Sequence, residues 1–300
     1  MKQTAFSWSV DFSEAGMLLR DYLIRKKMIS RQALTDIKYK GGALFVNDES
    51  VTVKRRLCEG DVVKVVFPKE EISLSMEPVS IPLKVLYEDE HFLAVNKAPC
   101  LPTIPSRFQN DESLAQGVLH YFQENGIPST IHTINRLDRD TSGIVLFAKH
   151  RYGHSLLSRQ QQSRKLNRTY VALCHGTPAI EKGMIDRPIG RKEGSIIERC
   201  VTDGGQQAIT RYELKQSYED YSLVELKLET GRTHQIRVHM ASIGYPLLGD
   251  DLYGGERSMI DRQALHSRTM RFYHPFKEKE VNLEAPIPDD MKKLIQRERG

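Results

Sequence analysis

The stretch NRLDRDTSG, residues 135–143, sets Asp138 between two arginines, Arg136 and Arg139, with a second carboxylate, Asp140, and a small polar run, Thr141-Ser142-Gly143, behind it. A short carboxylate that is ionised at neutral pH suits a nucleophile or an electrostatic stabiliser better than a general acid. The same residues also suit a capped helix start or a solvated turn, because Asp, Thr, Ser and Gly all favour turns. Taken alone, the stretch leaves these readings open. A second polar segment, ETGRTHQIRVH at 229–239, is predicted to run as a strand over THQIRVH. In a strand, Thr233, Gln235, Arg237 and His239 share one face, and Ile236 and Val238 turn to the core. Arg237 could then project into a cleft, although a solvent-exposed antiparallel face has the same pattern.

Other chemistries find no support. There is no Walker-type loop, no G-x-G-x-x-G, no H-E-x-x-H and no G-x-S-x-G, so nucleotide cofactors, zinc hydrolysis and serine catalysis lack their usual signatures. His234 and His239 would sit on opposite faces of a strand, which argues against a shared metal. His266 and His274 have no carboxylate or cysteine at ligand spacing. The four cysteines, Cys58, Cys100, Cys174 and Cys200, form no C-x-x-C pair, which argues against a disulfide framework and a structural zinc site.

The elements that must position these segments fall into two groups. Residues 17–25 carry Leu18, Leu19, Tyr22 and Leu23 at helical spacing. Ser30 is expected to cap a helix over RQALTDIKYK, with Ala33, Leu34 and Ile37 on one face and Arg31 and Lys38 together on another. ALFVNDESVTV reads as a hairpin turning near Asn47-Asp48, and GDVVKVVF as a further strand. Residues 71–82 read as a linker. Beyond it, KVLYEDEHFLAVNK reads as a hairpin, 111–124 as a helix, IVLFAK as a buried strand and HSLLSRQQQS as an amphipathic helix. TYVALCHG, AITRYELKQ, YSLVELKLET and HQIRVHM are expected strands. The pattern predicts an α+β fold: a larger domain over 83–300 with a largely antiparallel mixed sheet flanked by helices, preceded by a small α/β domain over 1–70.

Charge is uneven between the two. Residues 1–70 hold 13 Lys+Arg against 9 Asp+Glu, so four of the five net positive charges lie in the small domain. Such an appendage fits an anionic partner, most commonly nucleic acid. The longest apolar runs are far short of the ~20 residues that span a bilayer. MKQTAFSWSV lacks the apolar core of a secretory signal, and the cytoplasm is the expected compartment.

Two resemblances follow from these segments. About residues 15–68 resemble the S-four-type RNA-binding domain, through SRQALTDIKYKGG, LFVN and the later GD-VV strand. The larger domain resembles the RluA-type pseudouridine synthases, through YEDEHFLAVNKAP, NRLDRDTSGIVLFAK, RTYVALCHG, AITRYE, LETGRTHQIRVHMASIGYPLLGDDLYG and ALHSRTMRFYHP, in that order. The resemblance implies an enzyme that isomerises uridine in RNA without metal or cofactor. The bond from ribose to uracil N1 breaks, the base turns, and a carbon–carbon bond forms through C5. It implies that Asp138 is the catalytic carboxylate, Arg237 its partner, Tyr170 the ring that packs on uracil, and Arg136 the residue that fills the gap left by a flipped base. The implied partner is RNA, ribosomal RNA before tRNA, with no membrane and a monomeric chain. Arg31 and Lys38 are the candidate RNA contacts of the small domain.

The sequence departs from the family pattern at three positions. Asn135 stands where the family usually has His, Cys100 where Gly is frequent, and Ile104 where a second His is frequent. Asn keeps hydrogen-bonding capacity. Ile104 does not, so a polar contact to substrate or to Asn135 is expected to be missing. These departures motivate an alternative reading, a non-catalytic RNA-binding or ribosome-assembly protein that keeps the fold. A carboxylate glycosidase ranks last, because Asp140 is its only local second acid.

Overall fold

The computed structural model describes residues 3–70, 76–105 and 112–296. The 71–75 part of the expected linker, the expected helix start at 111 and the chain end at 297–300 lie outside the described residues.

The first unit contains β1 (Ala5–Ser9), a single turn α1 (Leu19–Asp21) that runs on as a π-helical turn over Tyr22–Lys26, α2 (Arg31–Tyr39), β2 (Ala43–Val46), β3 (Glu49–Ser50) and β4 (Val62–Val66). The strands form one antiparallel sheet in the order β1-β4-β2-β3. Ser30 caps α2 as its sequence position requires, its hydroxyl accepting from the Ala33 amide at 3.1 Å. Asn47 and Asp48 adopt φ of 52° and 60°, the left-handed pair of a type I′ hairpin turn, which Asn and Asp tolerate better than other side chains. Strand β1 has no counterpart among the expected elements. It is a five-residue edge strand in which only Phe6 and Trp8 are partly buried, a run too short to stand out on its own.

The larger unit contains β5 (Val85–Glu88), β6 (Phe92–Lys97), α3 (Leu114–Glu124), β7 (His132–Thr133), β8 (Ser142–Ala148), α4 (Arg151–Gln162), β9 (Asn167–His175), β10 (Lys182–Asp186), β11 (Ile189–Arg191), β12 (Arg199–Val201), β13 (Ile209–Ser217), β14 (Tyr221–Leu228), α5 (Gln235–Ser242), β15 (Leu265–His274), β16 (Lys279–Glu284) and α6 (Asp289–Gln296). Ten strands form one sheet along β10-β13-β14-β9-β15-β8-β6-β5, with β16 added to β15 and β7 to β8. The β15–β8 pair is parallel and the others are antiparallel, which gives the expected α+β class. Gly143 makes that central pair feasible. Its φ is +111°, and a β-carbon there would lie 2.3 Å from the Ser267 carbonyl oxygen.

One expectation fails. THQIRVH is not a strand, because Gln235–Ser242 is helix α5, entered through His234 at φ 57°. Every residue from Gln235 to Met240 is buried, so the helix has no solvent face and no 3.6-residue polarity pattern to read. Its polar residues looked like one face of a strand. Each instead bonds a buried polar group, and two of them share Thr210. The Gln235 amide donates to the Ile209 carbonyl and the Thr210 hydroxyl, His239 sits 2.8 Å from the Thr210 hydroxyl, and Arg237 bonds Asp250.

The two units share a core. Tyr152, Leu156 and Phe276 of the larger unit join the apolar cluster of the smaller one. Phe6 stacks on Phe276 with centroids 5.0 Å apart, and Phe67 stacks on Tyr152 at 5.3 Å. Asp36, buried on α2, holds Lys40 at 3.0 Å and Arg151 of α4 at 3.1 Å. Glu70 bonds His132 and accepts from the Arg151 amide. Residues 76–82 lie against α3, where Val79 donates to the Gln116 carbonyl. Among the described residues no helix is long and apolar enough to cross a membrane.

Candidate active site

Asp138 lies on the loop between β7 and β8, and four side chains, one of the loop's own and three from elsewhere, fix that loop. Asn135 is buried and uses both ends of its amide on β8, donating to the Ile144 carbonyl at 3.0 Å and accepting from the Leu146 amide at 2.9 Å. The Thr103 hydroxyl donates to the Leu137 carbonyl at 2.7 Å and accepts from the Leu137 amide at 3.0 Å. Lys97, 1% exposed at the end of β6, donates to the carbonyls of Ala98, Leu101 and Arg139 at 2.9, 2.7 and 2.8 Å. Arg262 donates to the Asp140 carbonyl at 3.0 Å while its fork grips Asp290 of α6. The turn closes on itself through the Thr141 amide and the Asp138 carbonyl at 3.1 Å. The Asp138 side chain remains about a quarter exposed, facing a cleft of about 620 Å³.

Arg237 approaches Asp138 from α5. Its Nε and Nη2 both bond Asp250 at 2.7 Å, and Nη1 reaches Asp138 at 3.3 Å. The Asp250 side chain is fully buried, and the Arg237 guanidinium lies 4.9 Å from the centre of the Tyr253 ring. Burial works against the arginine's charge. The bonds to Asp250 and the charges of Asp250 and Asp138 outweigh it and hold the guanidinium above its ordinary range. His234 completes the wall, with Nδ1 2.7 Å from the Tyr253 hydroxyl and Nε2 4.0 Å from Asp138. Burial pushes the His234 imidazole down, so it is neutral at pH 7 and its approach to Asp138 is not an ion pair. Tyr170, on β9, forms a largely buried part of the cleft floor.

Asp138, Arg237, Tyr170 and Arg136 therefore line one cleft. Arg136 is exposed and makes no hydrogen bond or ion pair among the described residues. Arg31 and Lys38 are not at the cleft; both are exposed on α2. Sequence reading missed Asp250, Tyr253, Thr103 and Lys97. GDDLYG and NKAP contain or adjoin three of them, but nothing in their spacing marks a residue whose role is to hold another. Among the described residues, no group of three or more His, Cys, Asp or Glu is placed to hold a metal.

The family model for RNA pseudouridylate synthase matches residues 91–242, which contain Asp138, Tyr170 and Arg237. This chain belongs to the RNA pseudouridine synthase family. It is 50% identical to the uncharacterized RNA pseudouridine synthase YjbO of Bacillus subtilis, over 90% of this chain and 95% of that one. It is 34% identical to the ribosomal large subunit pseudouridine synthase D of Vibrio cholerae, over 83% of this chain and 81% of that one. The solved structure of human RNA pseudouridylate synthase domain containing 4 shares the fold, with a TM-score of 0.60 at 22% identity, covering 72% of this chain and 93% of that one.

The departures from the synthase pattern acquire physical meaning here. Cys100 has φ 59°, a left-handed conformation that glycine takes without strain and cysteine does not. Asn135 makes its contacts to β8 rather than to Ile104, which is exposed on the cleft rim.

Two predictions follow from these contacts. Asp250→Ala leaves Arg237 buried without its bidentate partner and should cost about 3–5 kcal/mol in urea unfolding; a loss under ~1 kcal/mol would mean that Arg237 is held by other groups. Burial also pushes the Lys97 ammonium down to about 7. In the unfolded chain the group titrates near ~10.4. Between those values the unfolded state binds more protons, so stability rises with pH by about 1.4 kcal/mol per unit, and below pH ~7 this contribution is flat. Lys97→Met should remove that rise. Parallel stability–pH curves for the two proteins would exclude it.

Proposed function

We propose that this synthase converts uridine to pseudouridine in large-subunit ribosomal RNA, with Asp138 as the carboxylate that engages the ribose of the target nucleotide. The observation that carries the reading is the contact between Asp138 and Arg237 in a cleft floored by Tyr170. Arg237 orients the carboxylate through a charge-assisted bond. Tyr170 offers a ring to the uracil, a contact of ~1–3 kcal/mol per base in nucleic-acid binding. Arg136, exposed at the cleft mouth without a partner among the described residues, fills the space the flipped base leaves. The choice of ribosomal RNA rests on the name of the Vibrio cholerae relative; tRNA is the other candidate.

Residues 1–70 act in this proposal as an S-four-type RNA-binding domain, with 71–82 as linker and 83–300 as the catalytic domain. The exposed pair Arg31 and Lys38 on α2 supports an RNA-facing helix. The hydrogen bonds of Asn135 support a catalytic role over the non-catalytic alternative, because the Asn keeps the Asp138 loop fixed.

RNA carrying tritium at uracil C5 tests the activity. Wild type should release tritium from ribosomal RNA transcripts, and Asp138→Asn should release none while its melting temperature stays within a few degrees. Release from tRNA alone would move the substrate, and no release from either pool would overturn the proposal. Replacing Arg31 and Lys38 together with Gln should lower the salt-dependence slope of RNA binding by about 2, roughly one per phosphate contact. An unchanged slope would remove α2 from the interface.

A further inference from the structure

Arg168 lies two residues before Tyr170 on β9, so both side chains point to the same side of the sheet, roughly 7 Å apart along the strand. It is 7% exposed. Among the described residues its guanidinium has no hydrogen bond and no carboxylate partner, and its Nε is sealed from solvent with nothing to donate to. Buried arginines are ordinarily paired, because taking the charge out of water costs stability that only a partner offsets.

The acids around this charge are committed to other cations. Arg168 lines the catalytic cleft and also an adjoining cleft of about 700 Å³ over β9, β14, β15 and β16. The two carboxylates of that second cleft are held elsewhere. Glu229 bonds Arg164 at 2.8 Å and Arg211 at 2.7 Å, and Glu284 pairs with Arg268. Gly231 leaves the guanidinium room, since a β-carbon there would lie 3.2 Å from Nη2 and 3.4 Å from Nη1.

We propose that Arg168 is an RNA phosphate-binding residue at the junction of the two clefts, paired only when substrate is bound. A planar guanidinium with forked donors matches a phosphate's oxygens. A nucleotide whose base lies on Tyr170 brings its own or its neighbouring phosphate within reach. The assignment rests on the proposed function for the identity of the anion, and on the unpaired guanidinium for its existence.

Inorganic phosphate alone tests the anion site without reference to catalysis. In phosphate-free buffer Arg168→Met should melt at or above the wild-type temperature, since it removes an unpaired buried charge, and phosphate should stabilise wild type but not the variant. A residue with a merely structural role would instead lower the melting temperature equally in both buffers, and that result would overturn the proposal. The RNA arm uses tritium release from substrates carrying one uncharged methylphosphonate at each position around the target uridine. One such linkage should lower wild-type kcat/KM about 10- to 100-fold, the scale of a hydrogen bond to a charged group. The same linkage should cost Arg168→Met nothing further, and Arg168→Lys should recover part of the loss. Additive losses would overturn the contact. If wild type releases no tritium, the proposed function fails, and the phosphate arm still decides whether the site exists.

Discussion

Everything in the cleft depends on how Arg237 is divided between two carboxylates. Asp250 takes two of its nitrogens in a closed, buried fork and leaves the third, Nη1, aimed at Asp138. The second contact is therefore longer and more open than the first. Asp250 fixes the geometry, and Asp138, partly exposed, keeps oxygen lone pairs available to the cleft. The Tyr253 ring against the guanidinium and the neutral His234 beside it complete a wall whose charged groups are already oriented before substrate arrives. Fixed dipoles and charges of this kind need little rearrangement during reaction, which is where electrostatic catalysis gains most.

The loop that carries Asp138 shows the same logic in backbone terms. It is irregular chain, yet Thr103, Lys97 and Arg262 tie its backbone groups to three different parts of the molecule, and its own Asn135 anchors it to β8. Buried backbone carbonyls need partners. Here they find them in side chains from β6, from the 98–105 loop and from the segment before β15. A strand or helix would have satisfied those groups more simply, but it would not have presented a carboxylate at the cleft edge.

Much of this was legible in the sequence, and the failures share a cause. The α2 cap, the Asn47-Asp48 turn, the β5–β6 hairpin and the buried strand β8 all follow from local chemistry, and the structure has each of them. Helix α5 was misread because burial on every side erases the periodicity that distinguishes helix from strand, and its branched residues Ile236 and Val238 tilt the local preference toward β. Asp250 and Lys97 were missed for a related reason. Each acts on another residue, 13 positions away in one case and 42 in the other, so no short motif contains both partners. Arg168 stands in the RTYVALCHG block, yet what sets it apart is that no acid among the described residues pairs with it, and a missing pair in space is invisible along a chain.

The apolar seam between the two units has a consequence for recognition. Phe6, Phe67, Tyr152 and Phe276 interlock, and Asp36 and Glu70 bolt α2 and the following segment to the start of α4. A module on a loose tether would add local concentration and little else. A module fused through a shared core holds its basic helix at a set separation and angle from Asp138. On the proposed reading, an RNA must satisfy both surfaces at once with one rigid body. The enzyme would then select its uridine by the three-dimensional span of the surrounding RNA as well as by the bases next to it.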